Sequence, residues 1–313
     1  MSSDNKIETY DSTRAKKREK QKGDRWDGYE VKNLDPFQKL IPYLMKTRNT
    51  SSNWINLSFD ATEIVKYIDR KNKEAQEKGE IDSSTKKYNY NQFFIAAIVR
   101  IFALRPQLNR FIAGKKIYQR HDIEVAYVVK KEYNDDGEET VTTSRFERDS
   151  NIDDVISVVT PTIKGLREET DDEAGDFINT FVKLPNFLIS FIMWMLDVLT
   201  DIGHYPKIMK AIDPMQSSVF ITNIGSLKLE TVPIHHLYDR GTSSIFITVG
   251  QVSKKVIPTM DGNEEKYMVD LGITMDERVA DGFYFVQSLK AIEDLFNNPE
   301  QLDERLKEVP TDE

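Results

Sequence analysis

The strongest constraint on the fold of this sequence lies near its end, where a strand-like run passes through a charged connection into an amphipathic helical pattern. The strand-like run covers residues 268–273, and the helical pattern covers residues 285–302. The connection between them, Met275–Gly282, reads MDERVADG and contains Glu277 and Asp281. We take this connection as the first candidate for a functional motif.

A second motif lies upstream, in the segment Val219–Gly225, which reads VFITNIG. It joins a strand-like run to a polar turn, and Thr222 supplies a hydroxyl where the run ends. Two more strand-like runs follow, Gly241–Gly250 and Lys254–Thr259. A turn signal at residues 261–263 predicts that the strands on either side of it pair as a hairpin.

These segments resemble the catalytic core of the dihydrolipoamide acyltransferases of 2-oxoacid dehydrogenase complexes, a family related to chloramphenicol acetyltransferase. The family's active-site motif is a histidine, three further residues, then aspartate and glycine. Asp281 and Gly282 match this motif, while Glu277 stands in the position of the histidine. The family's Ser-Asn-Ile-Gly turn is matched by residues 222–225, with Thr222 in the serine position.

The resemblance extends over residues 34–305. Leu34–Arg48 and Asn53–Asp60 resemble the family's opening helix and strand, and Pro106–Asn109 matches its Pro-x-Leu-Asn turn. The fold that the resemblance implies is α+β, a chloramphenicol acetyltransferase-like two-layer sandwich of a mixed, largely antiparallel sheet and helices.

The N-terminal region differs in character from the rest. Residues 1–33 are polar, carry a basic run from Arg14 to Arg25 and show no apolar periodicity, so we expect a flexible tail. We assign residues 34–313 to one acyltransferase-like catalytic domain. The lipoyl domain and Ala/Pro-rich linkers that usually precede this domain in the family are not expected here.

Local patterns predict further elements. Asp60 and Glu63 have the spacing of a capping box, so a helix is expected from Ala61 to about Gly79. The segment 91–104 is apolar on most faces and should form a buried helix. Residues 123–129 and 140–146 read as strands around a turn that contains Asp135, Asp136 and Gly137.

The resemblance implies the chemistry. In the family, the histidine removes a proton from a thiol, the thiolate attacks a thioester, and the serine hydroxyl stabilises the tetrahedral oxyanion. By position, Glu277 would be the base, Thr222 the oxyanion donor and Asp281 a structural carboxylate. Coenzyme A would contact the remaining motif positions, which are Asn223, Gly225, Ser226 and Gly282. The family's site lies between subunits of a trimer, so a homo-oligomer is expected.

A glutamate is a weaker base than a histidine, since their side-chain pKa values in water are about 4.3 and about 6.5, against about 8.5 for a thiol. Two alternatives therefore stay open beside Glu277 as base. In the first alternative, His235 or His236 takes over the role of the base. Only one of these two residues could face a site if the segment is extended. Alternatively, the protein is an inactive trimeric scaffold or acyl-CoA-binding module.

The acyl acceptor is expected to be a free small molecule or a carrier on a separate protein, and no metal or chain-borne lipoyl group is expected. His121 and His204 are interpreted as structural or surface residues, since no His/Asp/Glu cluster has metal-ligand spacing. The net charge of −9 argues against nucleic-acid binding. The absence of cysteine and of a secretory signal fits the cytoplasm.

One strongly apolar segment remains, Phe187–Leu196, interrupted by Ser190. It is shorter than the roughly 20 residues that span a bilayer. We favour a helix that is buried or lies at an interface, with contact to a membrane surface as the less favoured alternative.

Overall fold

The computed structural model describes residues 18, 20–82, 84–130, 139–168, 180–260 and 262–310. The helices are α1 (Pro36–Leu44), α2 (Thr62–Glu77), α3 (Tyr90–Leu104), α4 (Ile152–Glu168), α5 (Asn186–Asp201), α6 (Lys207–Ile212) and α7 (Gly282–Asn297). The strands are β1 (Gly28–Glu30), β2 (Ser52–Asp60), β3 (Arg110–Ala113), β4 (Lys116–Arg120), β5 (Ile123–Lys130), β6 (Glu139–Phe146), β7 (Val219–Asn223), β8 (Ile245–Val249), β9 (Ser253–Thr259) and β10 (Gly262–Asp276).

The main sheet has the strand order β2-β10-β8-β7-β5-β6, and β9 pairs with the first half of β10. Strand β7 runs parallel to both of its neighbours, while the other pairs are antiparallel. Both predicted hairpins, β5 with β6 and β9 with β10, are confirmed. The predicted turn residues Asp135, Asp136 and Gly137 lie outside the described residues. The mixed sheet with helices confirms the α+β prediction.

One face of this sheet packs against helices. Ile245, Ile247, Leu271, Ile273 and Met275 alternate along β8 and β10 and join one hydrophobic core with residues of α2, α3, α4 and α7. Their period of two matches the side-chain alternation of a strand, so the intervening residues must face the other way. Helix α3 is buried along almost its whole length, as its uniform apolar pattern predicts.

The opposite face of the sheet is crossed by residues 229–238, which we call the crossing segment. The amide of Gln251 donates to the carbonyl of Leu229 (2.9 Å), and Thr274 Oγ1 donates to the carbonyl of His235 (2.5 Å). The segment lies so close that a Cβ on Gly250 would be 2.5 Å from the carbonyl oxygen of Glu230. A glycine at this position therefore permits the contact.

The folded region begins nearer to the chain start than the sequence predicts. Strand β1 joins β4 and β3 in a separate three-stranded sheet. Arg25 and Asp27 form a buried ion pair (Nε to Oδ1, 2.8 Å), and Tyr29 and Val31 are buried. Residues 24–33 are thus part of the folded body, and the structured region begins before the predicted boundary at residue 34.

Two local predictions need correction. Helix α2 begins close to the expected position, but Asp60 and Glu63 do not form a capping box, because Ala61 occupies the cap position. Asp60 Oδ1 instead accepts a hydrogen bond from the amide of Thr62 (2.9 Å). Helix α5 is not buried within the chain, since five of its large apolar side chains are exposed and Leu196 alone among them is buried. A position at an interface stays a prediction. Within the described ranges, no helix is both long and apolar enough to traverse a lipid bilayer.

Replacement of Gly250 by alanine tests the close approach of the crossing segment. The added methyl must displace the backbone of Glu230, so we expect Gly250→Ala to lower the free energy of unfolding by about 1–3 kcal/mol. The matched control is Gly165→Ala in α4, where a Cβ meets no atom within 4 Å. That change should raise the free energy of unfolding by about 0.5–1 kcal/mol. Equal effects of the two substitutions in urea denaturation would contradict this account.

Candidate active site

The loop that joins β10 to α7, residues 277–281, is anchored by a buried ion pair at its start. Asp276 is 1% exposed and accepts hydrogen bonds from Arg278 Nε (2.9 Å), Arg278 Nη2 (2.7 Å) and Ser51 Oγ (3.0 Å). The amide of Asp276 donates to the carbonyl of Ser244 (2.9 Å), and the amide of Glu277 donates to that of Ser51 (2.9 Å). The backbone of Glu277 is therefore fixed on two sides by neighbouring chain segments.

A second buried arginine supports the same region. Arg48 donates to the carbonyl oxygens of Tyr238 (Nη1, 2.7 Å) and Gly241 (Nη2, 2.5 Å), at the end of the crossing segment. Burial lowers the pKa of Arg48 to about 10, and its electrostatic partners include Asp276 and Arg278. Glu277 itself lies between Asp276 and Arg278 in the sequence and is half-buried.

Asp281 and Gly282 form the start of α7. Asp281 is exposed, and its Oδ1 accepts a hydrogen bond from the amide of Tyr284 (2.7 Å), which makes it the N-cap of the helix. A Cβ on Gly282 would meet no atom within 4 Å, so the space beside this residue is open. Within the chain, Asp281 thus fixes the helix start, whereas Asp276 anchors the loop that carries Glu277.

Thr222 lies near the end of β7, half-buried on the face of the sheet that the helices leave free. The following turn is held by two local contacts, from the amide of Gly225 to Asn223 Oδ1 (3.0 Å) and from Ser226 Oγ to the carbonyl of Asn223 (3.4 Å). The predicted coenzyme A positions Asn223, Gly225 and Ser226 therefore form one compact turn beside Thr222.

Thr222 and Glu277 are far apart within one chain. The register aligns Thr222 with Thr248 in β8 and Thr248 with Gly272 in β10. Glu277 follows Gly272 by five residues, which corresponds to about 17 Å along the strand, and two strand spacings add about 10 Å across the sheet. The two α-carbons are thus separated by about 20 Å. One chain alone does not bring these side chains to a shared reacting atom.

His235 and His236 both rest on the helix-free face. The ring of His235 stacks on Phe246 with centroids 4.1 Å apart, and the ring of His236 meets Trp54 edge-on at 5.5 Å. Phe246 and Trp54 flank Thr274 in the neighbouring strands. The expectation that adjacent histidines face opposite ways is therefore wrong, because the crossing segment is not a strand and lays both rings on the sheet.

His235 lies nearer to Thr222 than Glu277 does. Its stacking partner Phe246 lies in the strand next to Thr222, two residues away from the position that pairs with Thr222. The α-carbons of Phe246 and Thr222 are therefore about 8 Å apart. Thr248, which lies between them in the register, is 1% exposed, and its hydroxyl has no hydrogen-bond partner among the described residues. This part of the helix-free face thus combines two hydroxyls with an imidazole.

The remaining histidines are placed in structural surroundings. His121 is half-buried, with its Nε2 3.3 Å from the carbonyl of Arg25, and burial lowers the pKa of its imidazole. His204 is exposed, with Nδ1 3.0 Å from the carbonyl of Ile202. Across the part of the chain that the structure describes, no group of histidine and acidic residues could hold a metal ion.

Sequence reasoning missed Asp276, Arg278 and Arg48. Asp276 and Arg278 flank Glu277 in the charged connection, but a charged residue in a sequence pattern is normally read as exposed. The available signal was the position of Asp276 at the end of an apolar strand, where an acidic side chain requires a buried partner.

Substitution of Asp276 tests whether the loop depends on the buried ion pair. Asp276→Asn leaves the Arg278 guanidinium buried without its counter-charge, so we expect the free energy of unfolding to fall by about 3–5 kcal/mol. Asp281→Asn is the matched control, because asparagine caps a helix as well as aspartate does and should change stability by less than about 0.5 kcal/mol. Urea denaturation measures both, and comparable effects would refute the assigned roles.

No family model matches the sequence, and no curated protein matches it. Solved structures do match it. A probable dihydrolipoamide acetyltransferase from Listeria monocytogenes aligns with 85% of this chain and 94% of its own, at 16% identity and a TM-score of 0.55. The dihydrolipoamide acetyltransferase of Azotobacter vinelandii aligns with 91% of this chain and 94% of its own, at 12% identity and a TM-score of 0.56.

Chloramphenicol acetyltransferase also matches, over 85% of this chain and 97% of its own, at 10% identity and a TM-score of 0.50. At this level of identity the comparisons establish architecture. The chain has the fold shared by chloramphenicol acetyltransferase and the dihydrolipoamide acetyltransferase catalytic cores.

Proposed function

We propose that the protein is an acyltransferase that moves an acyl group between a coenzyme A thioester and an acceptor, at a site shared between two copies of the chain. The observation that carries this proposal is the placement of the two motifs, the Thr222 turn and the Glu277 loop, on β7 and β10 of an acyltransferase fold. The Azotobacter structure was described as an investigation of a serine, a histidine and an asparagine in catalysis, the last two four positions apart. Thr222, Glu277 and Asp281 stand in for these three residues in the same order along the chain, and the last two are again four positions apart.

The distance between the motifs supports a shared site. With about 20 Å between their α-carbons, Thr222 and Glu277 of one chain do not reach the same bond. A neighbouring copy can place its Glu277 loop against the Thr222 turn of the first. A pyruvate dehydrogenase core that matches at a TM-score of 0.50 was described as a cubic assembly. We propose a trimer for this chain, in line with the family resemblance.

Helix α1 offers a surface for such an assembly. Its large apolar side chains are exposed instead of buried: Phe37, Leu40, Tyr43 and Leu44. Successive members of this set are three, three and one positions apart in the sequence, which places them on one side of the helix. An uncovered apolar stripe of this kind is typical of a protein interface.

The proposed reaction is an addition followed by an elimination. A base removes the proton from the acceptor thiol or amine, and the resulting nucleophile attacks the carbonyl carbon of the thioester. The Thr222 hydroxyl donates a hydrogen bond to the oxyanion that forms. Collapse of the tetrahedral intermediate breaks the bond from carbon to sulfur, and coenzyme A leaves as a thiol after it receives the proton.

Two residues are candidates for the base. Glu277 holds the position of the family's histidine and would act across the subunit boundary. His235 would act within one chain, since it lies on the same sheet face as Thr222 and close to it. In both cases Asn223, Gly225, Ser226 and Gly282 would contact coenzyme A, and the reaction needs no metal. The acceptor would be a free small molecule or a separate carrier protein, and the cysteine-free composition supports a cytoplasmic setting.

A second candidate function is a scaffold without turnover. The observation that favours it is the carboxylate at position 277, where the resembling enzymes have an imidazole. In this case the protein would form the same trimer and bind acyl-CoA, but would not transfer the acyl group.

Turnover of acetyl-CoA with a panel of thiol and amine acceptors tests the proposal. We expect Thr222→Ala to lower kcat by about 10²–10³ because the oxyanion loses a donor, while Thr222→Ser retains activity. Glu277→Gln and His235→Gln identify the base. The variant that loses turnover has lost the base, and the other variant should retain turnover. Acyl-CoA binding without turnover in the unmodified protein would favour the scaffold. Activity that survives Thr222→Ala would contradict the assigned oxyanion donor.

If Glu277→Gln has lost turnover, mixing it with Thr222→Ala tests whether the site is shared. If one copy supplies Thr222 and another supplies Glu277, then Thr222→Ala mixed with Glu277→Gln restores about one quarter of the sites after subunit exchange. The control is Thr222→Ala mixed with His235→Gln. His235 is assigned to the same chain as Thr222, so this control mixture should stay inactive. Recovery of activity in it would mean that the two residues come from different copies. Failure of the first mixture to recover would rule out the shared site formed by Thr222 and Glu277.

A further inference from the structure

Helix α5 presents an apolar stripe to the surroundings. Phe187, Phe191, Trp194, Val198 and Ile202 are separated by three or four residues and therefore share one side of the helix and its C-terminal extension. Phe187 is 76% exposed and Trp194 is 60% exposed. The helix contacts the body of the protein through its other side, where Leu196 and Thr200 are buried.

The acidic residues of α5 are occupied by the protein itself. Asp197 Oδ1 lies 3.3 Å from Arg240 Nε, and Asp201 Oδ1 accepts a hydrogen bond from the amide of Gly114 (2.9 Å). Both lie along one border of the stripe and not at its centre. The outward side of α5 therefore presents apolar surface with its neighbouring carboxylates already engaged.

Basic residues gather at the ends of the same helix. Lys183 is exposed just before α5, and Lys207 is exposed just after it. Lys210 lies with its Nζ 4.4 Å from the ring centroid of Trp26, and burial together with the nearby charges of Lys20 and Lys207 lowers its pKa. Lys20, Lys207 and Lys210 thus form a basic cluster at the C-terminal end of α5.

The N-terminal basic run meets the helix at this cluster. Arg25 Nη1 donates to the carbonyl of Asp201 (3.2 Å), which ties the end of the run to the last turn of α5. Lys20 and Lys22, within the run, are exposed. The two sequence features that the acyltransferase site leaves unused, the basic run and the apolar segment, are therefore adjacent in the fold.

We propose that α5 is an interfacial helix that binds the protein to an anionic phospholipid surface. The apolar stripe would enter the boundary between headgroups and acyl chains, while Lys20, Lys207 and Lys210 contact the phosphates. Stable peripheral binding requires two contributions, burial of apolar surface and attraction to anionic lipids. The apolar stripe of α5 supplies the first, and the basic cluster supplies the second. The helix has 16 residues, which is shorter than a bilayer-spanning helix and suits an orientation parallel to the surface.

The charges favour a lipid surface over a second copy of the chain. In a two-fold contact through the α5 stripe, the basic cluster of one copy would approach the same cluster of the second copy if the helices ran parallel. It would approach Lys183 of the second copy if they ran antiparallel, and like charges repel in both cases. Anionic headgroups provide the complementary charge on every side of the stripe.

Vesicle sedimentation of the full chain tests the proposal. We expect binding to vesicles of phosphatidylcholine mixed with phosphatidylserine, little binding to phosphatidylcholine alone, and weakening with added salt. Phe191→Ser combined with Trp194→Ser should reduce affinity by on the order of tenfold or more, because two aromatic side chains lose their burial. Val256→Ser combined with Met260→Ser is the matched control, since it also removes two exposed apolar side chains but from the β9–β10 hairpin.

Acyl transfer is measured on the same variants, and the α5 substitutions should leave turnover unchanged because Phe191 and Trp194 have no assigned part in the proposed reaction. The proposal fails if the unmodified protein stays in the supernatant with phosphatidylserine vesicles. It also fails if the α5 variant and the hairpin control bind equally well. A change in oligomeric state of the α5 variant, in a protein that does not bind vesicles, would instead identify the stripe as a contact between copies.

Discussion

The hydrogen bonding of β10 determines where every candidate site residue lies. This strand pairs with β2 and β8 along its second half and with β9 along its first half. Through β8 it also fixes the position of β7 and hence of Thr222. A shift of one residue in this register would exchange the faces of the sheet, turning Thr274 towards the helices and Ile273 towards the crossing segment. The large separation between Thr222 and Glu277 follows from this pairing, so Glu277 could act with Thr222 only across a boundary between copies.

The buried ion pair of Asp276 and Arg278 converts the end of β10 into a defined loop. A strand end with unpaired polar groups is free to fray, but here the carboxylate of Asp276 also accepts a hydrogen bond from Ser51, the residue before β2. The pair is enclosed and hydrogen-bonded on both partners, which is the condition under which burial of two charges is tolerated. Its effect is positional, because it holds the intervening residue, Glu277, at one place relative to β2 and β8.

Regular elements with strong periodicity were predictable from the sequence, and long-range contacts were not. Helices α2 and α3, both hairpins and the helix after the charged connection agree with the patterns of apolar residues. The folding of residues 24–33 was not predictable, because it depends on the Arg25–Asp27 ion pair and on strand pairing with β4. The exposure of α5 was equally hidden, since an apolar stripe has the same period whether it faces a core or the surroundings. The positions of His235 and His236 depend on a segment without any periodicity.

The buried charges beside the Glu277 loop support both candidate bases. The ion pair of Asp276 holds the loop, and the opposite charges that act on Arg48 are those of Asp276 and Asp239. Arg48 also donates hydrogen bonds to two carbonyl oxygens at the end of the crossing segment, which carries His235. One group of charges thus holds the backbone on which Glu277 lies and one end of the segment on which His235 lies. A substitution within this group would disturb both candidates together, because a buried charge that loses its partner forces its surroundings to rearrange. Only direct substitution of Glu277 or His235 therefore separates the two possible bases.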